Sequence, residues 1–451
     1  MACHCNEFSR AHLLREAAAQ AGNGLPAIEP GMPVPAGTGL NRRSFLLRSA
    51  GAVLAVYGAG RLGVDELSAG IARAQGAEER VLVSVFLEGG ADALSVLSPV
   101  TNATYKSLRP NLALGEGEGV EFRDDANWHW HPSAAPLDSL HRAGKVSLFP
   151  AIGYTDPDQS HFTSRHYWEV GALDPRGRTG WMGRLLDVIG SDDNPLQGLA
   201  LDGWPSPGLA TSSKPVAAID GTTYDLWAPG VWGDVEALMH DAIGAVGAGH
   251  AASQDSGRRR AGTVAAQSAR LREQLASFGE LEVPASYPDH PFGQELAGLA
   301  AMLAVGLPIR CAAVNAAGGY DTHDSQESSF GDDLGTTSQA LAAFQADLEA
   351  RGLADRVVTF VWSEFGRRPE ENGSSGTDHG AAGTGLLIGT QVVDQVVGDF
   401  ADLANLDGDD NLRHTSDFRA VYSSLVEQWF DVDGADVIPD SAQFTHPTLI
   451  G

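Results

Sequence analysis

The sequence is short of cysteine, of positive charge and of long apolar runs, and each shortage closes off a class of protein. Only three cysteines occur in 451 residues. Cys3 and Cys5 flank His4 near the start, and Cys311 lies alone far along the chain. Two cysteines and one histidine at that spacing cannot close a tetrahedral metal site. Cys311 by itself forms no internal disulfide, so no disulfide framework is expected. Lysine and arginine total 30 against 58 aspartates and glutamates, a formal net charge of -28. So acidic a surface argues against nucleic acid and anionic lipid as partners. It also suits an anionic substrate poorly, unless a metal ion makes the site locally positive. The apolar stretch Gly51 to Ala59 is too short to cross a bilayer. No P-loop, dinucleotide fingerprint, Gly-x-Ser-x-Gly elbow or internal repeat is present.

What is there begins with an export signal. Residues 1–40 are rich in Ala, Gly and Pro and are expected to be unstructured. Asn41-Arg42-Arg43-Ser44-Phe45-Leu46-Leu47 is a twin-arginine pattern, followed by the short apolar stretch and by Ala72-Arg73-Ala74, an A-x-A cleavage site. Residues 41–74 therefore read as a twin-arginine signal peptide. Residues 75–451 read as a single α/β domain, secreted or held at the cell surface or in the periplasm, with no transmembrane segment. Twin-arginine export carries folded proteins, often with a metal or cofactor inside.

Within 75–451, strand and helix patterns alternate, which predicts an α/β fold with a largely parallel sheet. Strands are expected at Val81 to Leu87, Lys145 to Gly153, Pro308 to Asn315 and Arg356 to Trp362, all apolar and β-branched-rich. Helices are expected at Pro132 to Ala143, from Ser160 or His161 through Glu169, at Arg259 to Leu281, Gln294 to Val305, Leu334 to Leu353 and Asp417 to Phe430. Asp174 to Asp234, rich in Gly, Pro and Trp, reads as a loop-rich cap.

Polar groups gather where these strands end. The first strand runs into Glu88-Gly89-Gly90-Ala91-Asp92, so Asp92 is a metal carboxylate or the N-cap of the next helix. Ser160 stands at a helix start, as a cap or as a nucleophile favoured by the helix dipole. Gly318-Gly319-Tyr320-Asp321-Thr322-His323 sets an acid and a histidine two apart, on one side of an extended segment. Ser363-Glu364-Phe365-Gly366-Arg367 leaves another strand, and Gly376-Thr377-Asp378-His379-Gly380 returns to the same rim. Ligands of open α/β sheets bind at such carboxyl-terminal strand ends.

Together these loops resemble the alkaline phosphatase and sulfatase superfamily. More closely, they resemble the secreted bacterial proteins of domain-of-unknown-function family 1501. The resemblance rests on Phe86 to Asp92, Gln159-Ser160-His161-Phe162, Gly318 to His323, Ser363 to Arg367, Gly376 to Gly380 and Asp417 to Tyr422, and covers nearly all of 75–451. It implies a three-layer sandwich: a mostly parallel sheet, helices on both faces, and one or two divalent cations (zinc, manganese, calcium or iron) at the sheet's carboxyl edge. It implies Asp92, Asp321, His323, Glu364 and His379 as metal ligands, Ser160 as nucleophile, and Arg367 or Arg165 as the cation facing substrate charge. Phe365 stands where the phosphatases have a histidine, and the sulfatase Cys/Ser-x-Pro-x-Arg motif is missing, which excludes formylglycine chemistry. Two functions follow. One is a metal-dependent hydrolase of phosphate or sulfate esters, acting on a small molecule or a polymer. The other is an exported non-hydrolytic metal-binding or accessory protein with a protein partner at the cell surface.

Overall fold

A computed structural model describes residues 80–451, apart from 192–193, 223–232, 276–282 and 285. The expected extension at 1–40, the signal peptide at 41–74 and the end of the Arg259 to Leu281 helix lie outside the described residues. The architecture is α/β. Its sheet is built from β1 (Val81–Phe86), β2 (Val146–Gly153), β3 (Gly198–Ala200), β4 (Ala217–Ala218), β5 (Cys311–Asn315) and β6 (Val357–Trp362). A hairpin, β7 (Arg367–Glu371) with β8 (Thr377–His379), follows β6; then come β9 (Gly383–Ile388), β10 (Gln395–Val396) and β11 (Ser416–Asp417). The sheet order is β10-β2-β9-β6-β1-β5-β3-β4, with β11 also on β2. Only β9 runs antiparallel to its neighbours, β2 and β6; the other pairs of this sheet are parallel.

Strand alternation sends side chains to two cores. Val81, Val83 and Val85 of β1 and Val357 and Val361 of β6 enter one core, with α1 (Ala135–Arg142), α6 (Pro291–Ala304) and α7 (Phe330–Ala350). Leu82 and Phe86, with Val358, Phe360 and Trp362, enter the other, with α2 (His161–Val170), α3 (Trp181–Ile189) and α8 (Phe418–Ser424). Helices thus cover both faces, as a doubly buried parallel sheet requires. Two further helices, α4 (Asp234–His250) and α5 (Ser256–Leu275), pack against each other.

The stretch expected as a loop-rich cap is not one in its described part. It supplies α3 and the strands β3 and β4, with Leu199, Leu201 and Ile219 fully buried. In the second core Trp168 of α2 stacks on Trp362 at 5.4 Å and on Phe418 at 4.5 Å between ring centroids. These contacts fix α2, whose first residue is His161, beside the end of β6.

Candidate metal centre

Four loops at the carboxyl ends of β1, β2, β5 and β6 meet around the Asp321 carboxylate. Asp321 Oδ1 lies 3.1 Å from His323 Nε2, 3.2 Å from His379 Nε2 and 2.6 Å from Arg367 Nη2. Its Oδ2 lies 3.4 Å from His161 Nε2. Three imidazole Nε2 atoms therefore converge on one carboxylate.

Each imidazole is held from behind by its other nitrogen. His161 Nδ1 donates to Glu364 Oε1 at 2.7 Å. His379 Nδ1 donates to the Gln159 carbonyl at 2.8 Å, and His323 Nδ1 to Asp378 Oδ1 at 3.2 Å. With Nδ1 carrying the proton, each Nε2 presents a lone pair inward. His323 and His379 then face one another, Nε2 to Nε2, at 2.9 Å. Two lone pairs at that distance need a shared proton or a cation between them. His161 Nε2 is buried and makes no hydrogen bond. Imidazoles oriented by carboxylates and carbonyls, with an orphaned inward nitrogen, fit a divalent metal ion.

The carboxylates also draw positive charge onto this cluster, so a metal ion bound to the Nε2 atoms would compete with protons for them. Burial works to raise the Asp321 pKa, but the three imidazoles and Arg367 hold it well below the usual carboxylate range. Burial works against charge on His161, yet the Asp321 and Glu364 carboxylates outweigh it and raise its pKa to about 9. His379 is pushed down by burial.

Glu364 and Arg367 serve as supports. The Glu364 carboxylate is buried and accepts the Gly89 and Gly90 amides and the Ser363 hydroxyl, as well as His161. It orients an imidazole rather than pointing at the carboxylate of Asp321. Gly89 sits at φ 116°, and a Cβ there would lie 2.3 Å from the Asp321 amide nitrogen, so only glycine allows the loops to close. Arg367, fully buried, donates to the carbonyls of Gly89, Gly90, Tyr320 and Thr377 besides Asp321. It lies directly opposite His379 across the β7–β8 hairpin, which sends both side chains to one side. The Phe365 ring packs on His161 and His379, with centroids 4.9 and 4.7 Å away, and walls the imidazoles.

Of the residues expected from sequence, the structure brings Asp321, His323 and His379 together, with Glu364 and Arg367 behind them. It does not bring Asp92 there. Asp92 is the N-cap of the short helix Ala93–Val96 and a buried ion pair: its oxygens meet Arg109 at 2.5 and 2.9 Å, Ser95 at 2.6 Å and Gln326 at 2.6 Å. Ser160 caps α2, its Oγ 3.5 Å from the Thr163 amide, next to His161. His161 itself was missed by sequence reasoning, although it stands in the quoted Gln-Ser-His-Phe motif.

Residues 233–425 match the family model DUF1501, described as a protein of unknown function. Solved structures that resemble it include a protein of the alkaline phosphatase superfamily from Vibrio parahaemolyticus, with 10% identity over 90% of this chain and 80% of that one, TM-score 0.36. They also include the PsFucS1 sulfatase from Pseudoalteromonas sp., with 10% identity over 93% and 80%, TM-score 0.33. A third is Ps i-CgsB in complex with k-i-k-neocarrahexaose, with 9% identity over 82% and 75%, TM-score 0.32. No curated protein matches the chain.

Proposed function

We propose that this protein is an exported, metal-dependent hydrolase of phosphate or sulfate esters that uses one divalent ion held by His161, His323, His379 and Asp321. The observation that carries the reading is the convergence of three back-braced imidazole Nε2 atoms on a single carboxylate. Such a donor set suits zinc, manganese or iron better than calcium. An ion held there would supply Lewis-acid polarisation of an ester oxygen and would neutralise its charge. In this reading Ser160, at the N-terminus of α2 where the helix's free N–H groups favour its ionised form, would give its proton to water and attack the phosphorus or sulfur; the P–O or S–O bond to the ester alcohol would break, the alcohol leaving with a proton, and water would then cleave the Ser160 ester to release phosphate or sulfate. Arg165 lies one turn from His161, with Nε on Glu169 and Nη1 toward Glu88. It is better placed than Arg367, whose donors are spent on backbone carbonyls and Asp321, to meet substrate charge. The leader at 41–74 would carry the folded, loaded protein out of the cytoplasm.

The second reading, an exported metal-binding or accessory protein without hydrolysis, is favoured by two observations: Ser160 caps its own helix and Arg367 is wholly engaged. Elemental analysis of protein purified without chelator or nickel affinity comes first. One equivalent of a transition ion, lost in His161→Ala and in His379→Ala, supports the site; metal content unchanged in both removes it. Phosphate- and sulfate-ester panels with wild type and Ser160→Ala follow. Hydrolysis that survives Ser160→Ala removes the serine from the reaction. A metal-loaded protein inert on every ester leaves the second reading.

A further inference from the structure

The helical hairpin of α4 and α5 has an outer face that no described residue covers. The inner face of α4 is made of His240, Gly244 and Gly247, all buried. A Cβ on Gly244 would come within 2.5 Å of Ala269 Cβ, and one on Gly247 within 2.6 Å of the Ala266 amide nitrogen, so α4 and α5 are in close backbone contact. The opposite face carries Val235, Leu238, Ala242, Ala245, Val246 and Gly249, all exposed. Val235, Leu238 and Val246 are 61%, 67% and 63% exposed. Val235, Leu238, Ala242, Ala245 and Gly249 are spaced three, four, three and four apart, the spacing of a helix seam that meets another helix.

We propose that this face is the contact between two copies of the chain, with α4 of one antiparallel to α4 of the other. Two complementarities commit the occupant. The first is size. Val235 and Leu238 sit in the N-terminal half of the face, and Val246 and Gly249 in the C-terminal half. Antiparallel pairing about a two-fold axis through Ala242 sets Val235 against Gly249 and Leu238 against Val246 of the second copy. Pairing in parallel would set Val235 and Leu238 against themselves and leave Ala245 facing Ala245 across a gap. The second is charge. The start of α4 carries Asp234 and Glu236, while its end carries His250 beside Arg258 and Arg259 at the start of α5; Asp241 lies mid-helix, next to the axis. The same two-fold axis brings each acidic end to a basic one. A surface that is self-complementary in this way closes as a symmetric dimer. The seam runs the length of α4, about 25 Å.

Sedimentation equilibrium of the full chain over a dilution series tests it. Wild type is expected to approach twice the 47.3 kDa chain mass as concentration rises. The double variant Leu238→Glu/Val246→Glu, altered only at exposed positions, is expected to stay monomeric with an unchanged circular dichroism spectrum and melting temperature. Ala242→Cys, at the axis, is expected to cross-link to itself on mild oxidation, with the new disulfide located by peptide mapping to distinguish it from Cys3 and Cys5. A wild-type monomer at every concentration overturns the proposal, as does a dimer that survives the double variant or one in which Ala242→Cys does not cross-link. A monomer whose α4 face binds phosphatidylcholine vesicles also overturns it, in favour of a lipid surface. These outcomes do not depend on metal content or hydrolysis.

Discussion

Glu364 illustrates how much of the candidate metal centre lies one layer behind the imidazoles that would hold an ion. Its carboxylate ties two glycine amides and the His161 ring into one unit. Glu364→Gln keeps the volume but weakens the brace on His161. Metal affinity is expected to fall about 10- to 100-fold, measured by competition against a chromophoric chelator; unchanged affinity would show that the brace is dispensable. Asp92 makes the contrasting case. Burial opposes its charge, but Arg109 outweighs that and holds its pKa below the usual range. Asp92→Ala leaves the Arg109 guanidinium buried and unpaired, so a loss of roughly 3–5 kcal/mol in stability is expected, read from urea unfolding, with metal content per folded chain intact. The sequence placed Asp321, His323, Glu364 and His379 at one rim because each follows a strand or a glycine turn. Of its two readings of Asp92, the N-cap is the one the structure shows; the metal reading fails because the neutralising arginine lies 17 residues further on, outside any motif. It passed over His161 because the adjacent hydroxyl drew the chemical argument.

At the scale of elements, the strands that are buried on both faces were readable as unbroken apolar runs, and β1, β2 and β6 lie close to their expected positions. Strands β3 and β4 have three and two residues and carry no period at all. Strand β9 opens on Gly383-Thr384-Gly385, which reads as a turn until its pairing with β2 and β6 is seen. Helix α6 carries a cost of this architecture. Glu295 is 8% exposed and faces the carboxylates of Asp202 and Asp220 at the ends of β3 and β4. Burial first, and those two charges second, push its pKa up to about 8 from 4.5. The folded protein holds a proton there that the unfolded chain gives up, so stability falls as pH rises from about 4.5 to 8. Glu295→Gln is expected to flatten this slope and to stabilise the protein above neutral pH by at most roughly 5 kcal/mol. Urea midpoints of both proteins on the acid and alkaline sides of that window decide it.

For the molecule as a whole, a second group bends the pH profile the same way. His446 Nδ1 donates to Glu427 at 2.8 Å and its Nε2 to the Ser441 carbonyl at 3.0 Å, fastening the C-terminal segment. Burial opposes the charged form, but those two bonds outweigh it and raise the pKa. A raised histidine pKa gives stability that is fully present below the unfolded value of 6.5 and is lost as pH rises through the folded value. The net charge of -28 adds self-repulsion that also grows with pH. Greatest thermal stability is therefore expected on the acid side of neutrality, and His446→Gln should shift the optimum; a melting temperature that climbs steadily to alkaline pH would contradict this. The sheet order has one more consequence, for assembly in time. Strand β1, at the start of the described chain, has no partner until β5 and β6 have been made, more than 200 residues later. Strand β2 is joined to the rest only through β9. His161 waits likewise for Asp321 and His379. Most contacts in the sheet close long loops, which slows folding, and the candidate metal centre is complete only once His379 has been synthesised, so an ion would find no complete cradle on a shorter nascent chain.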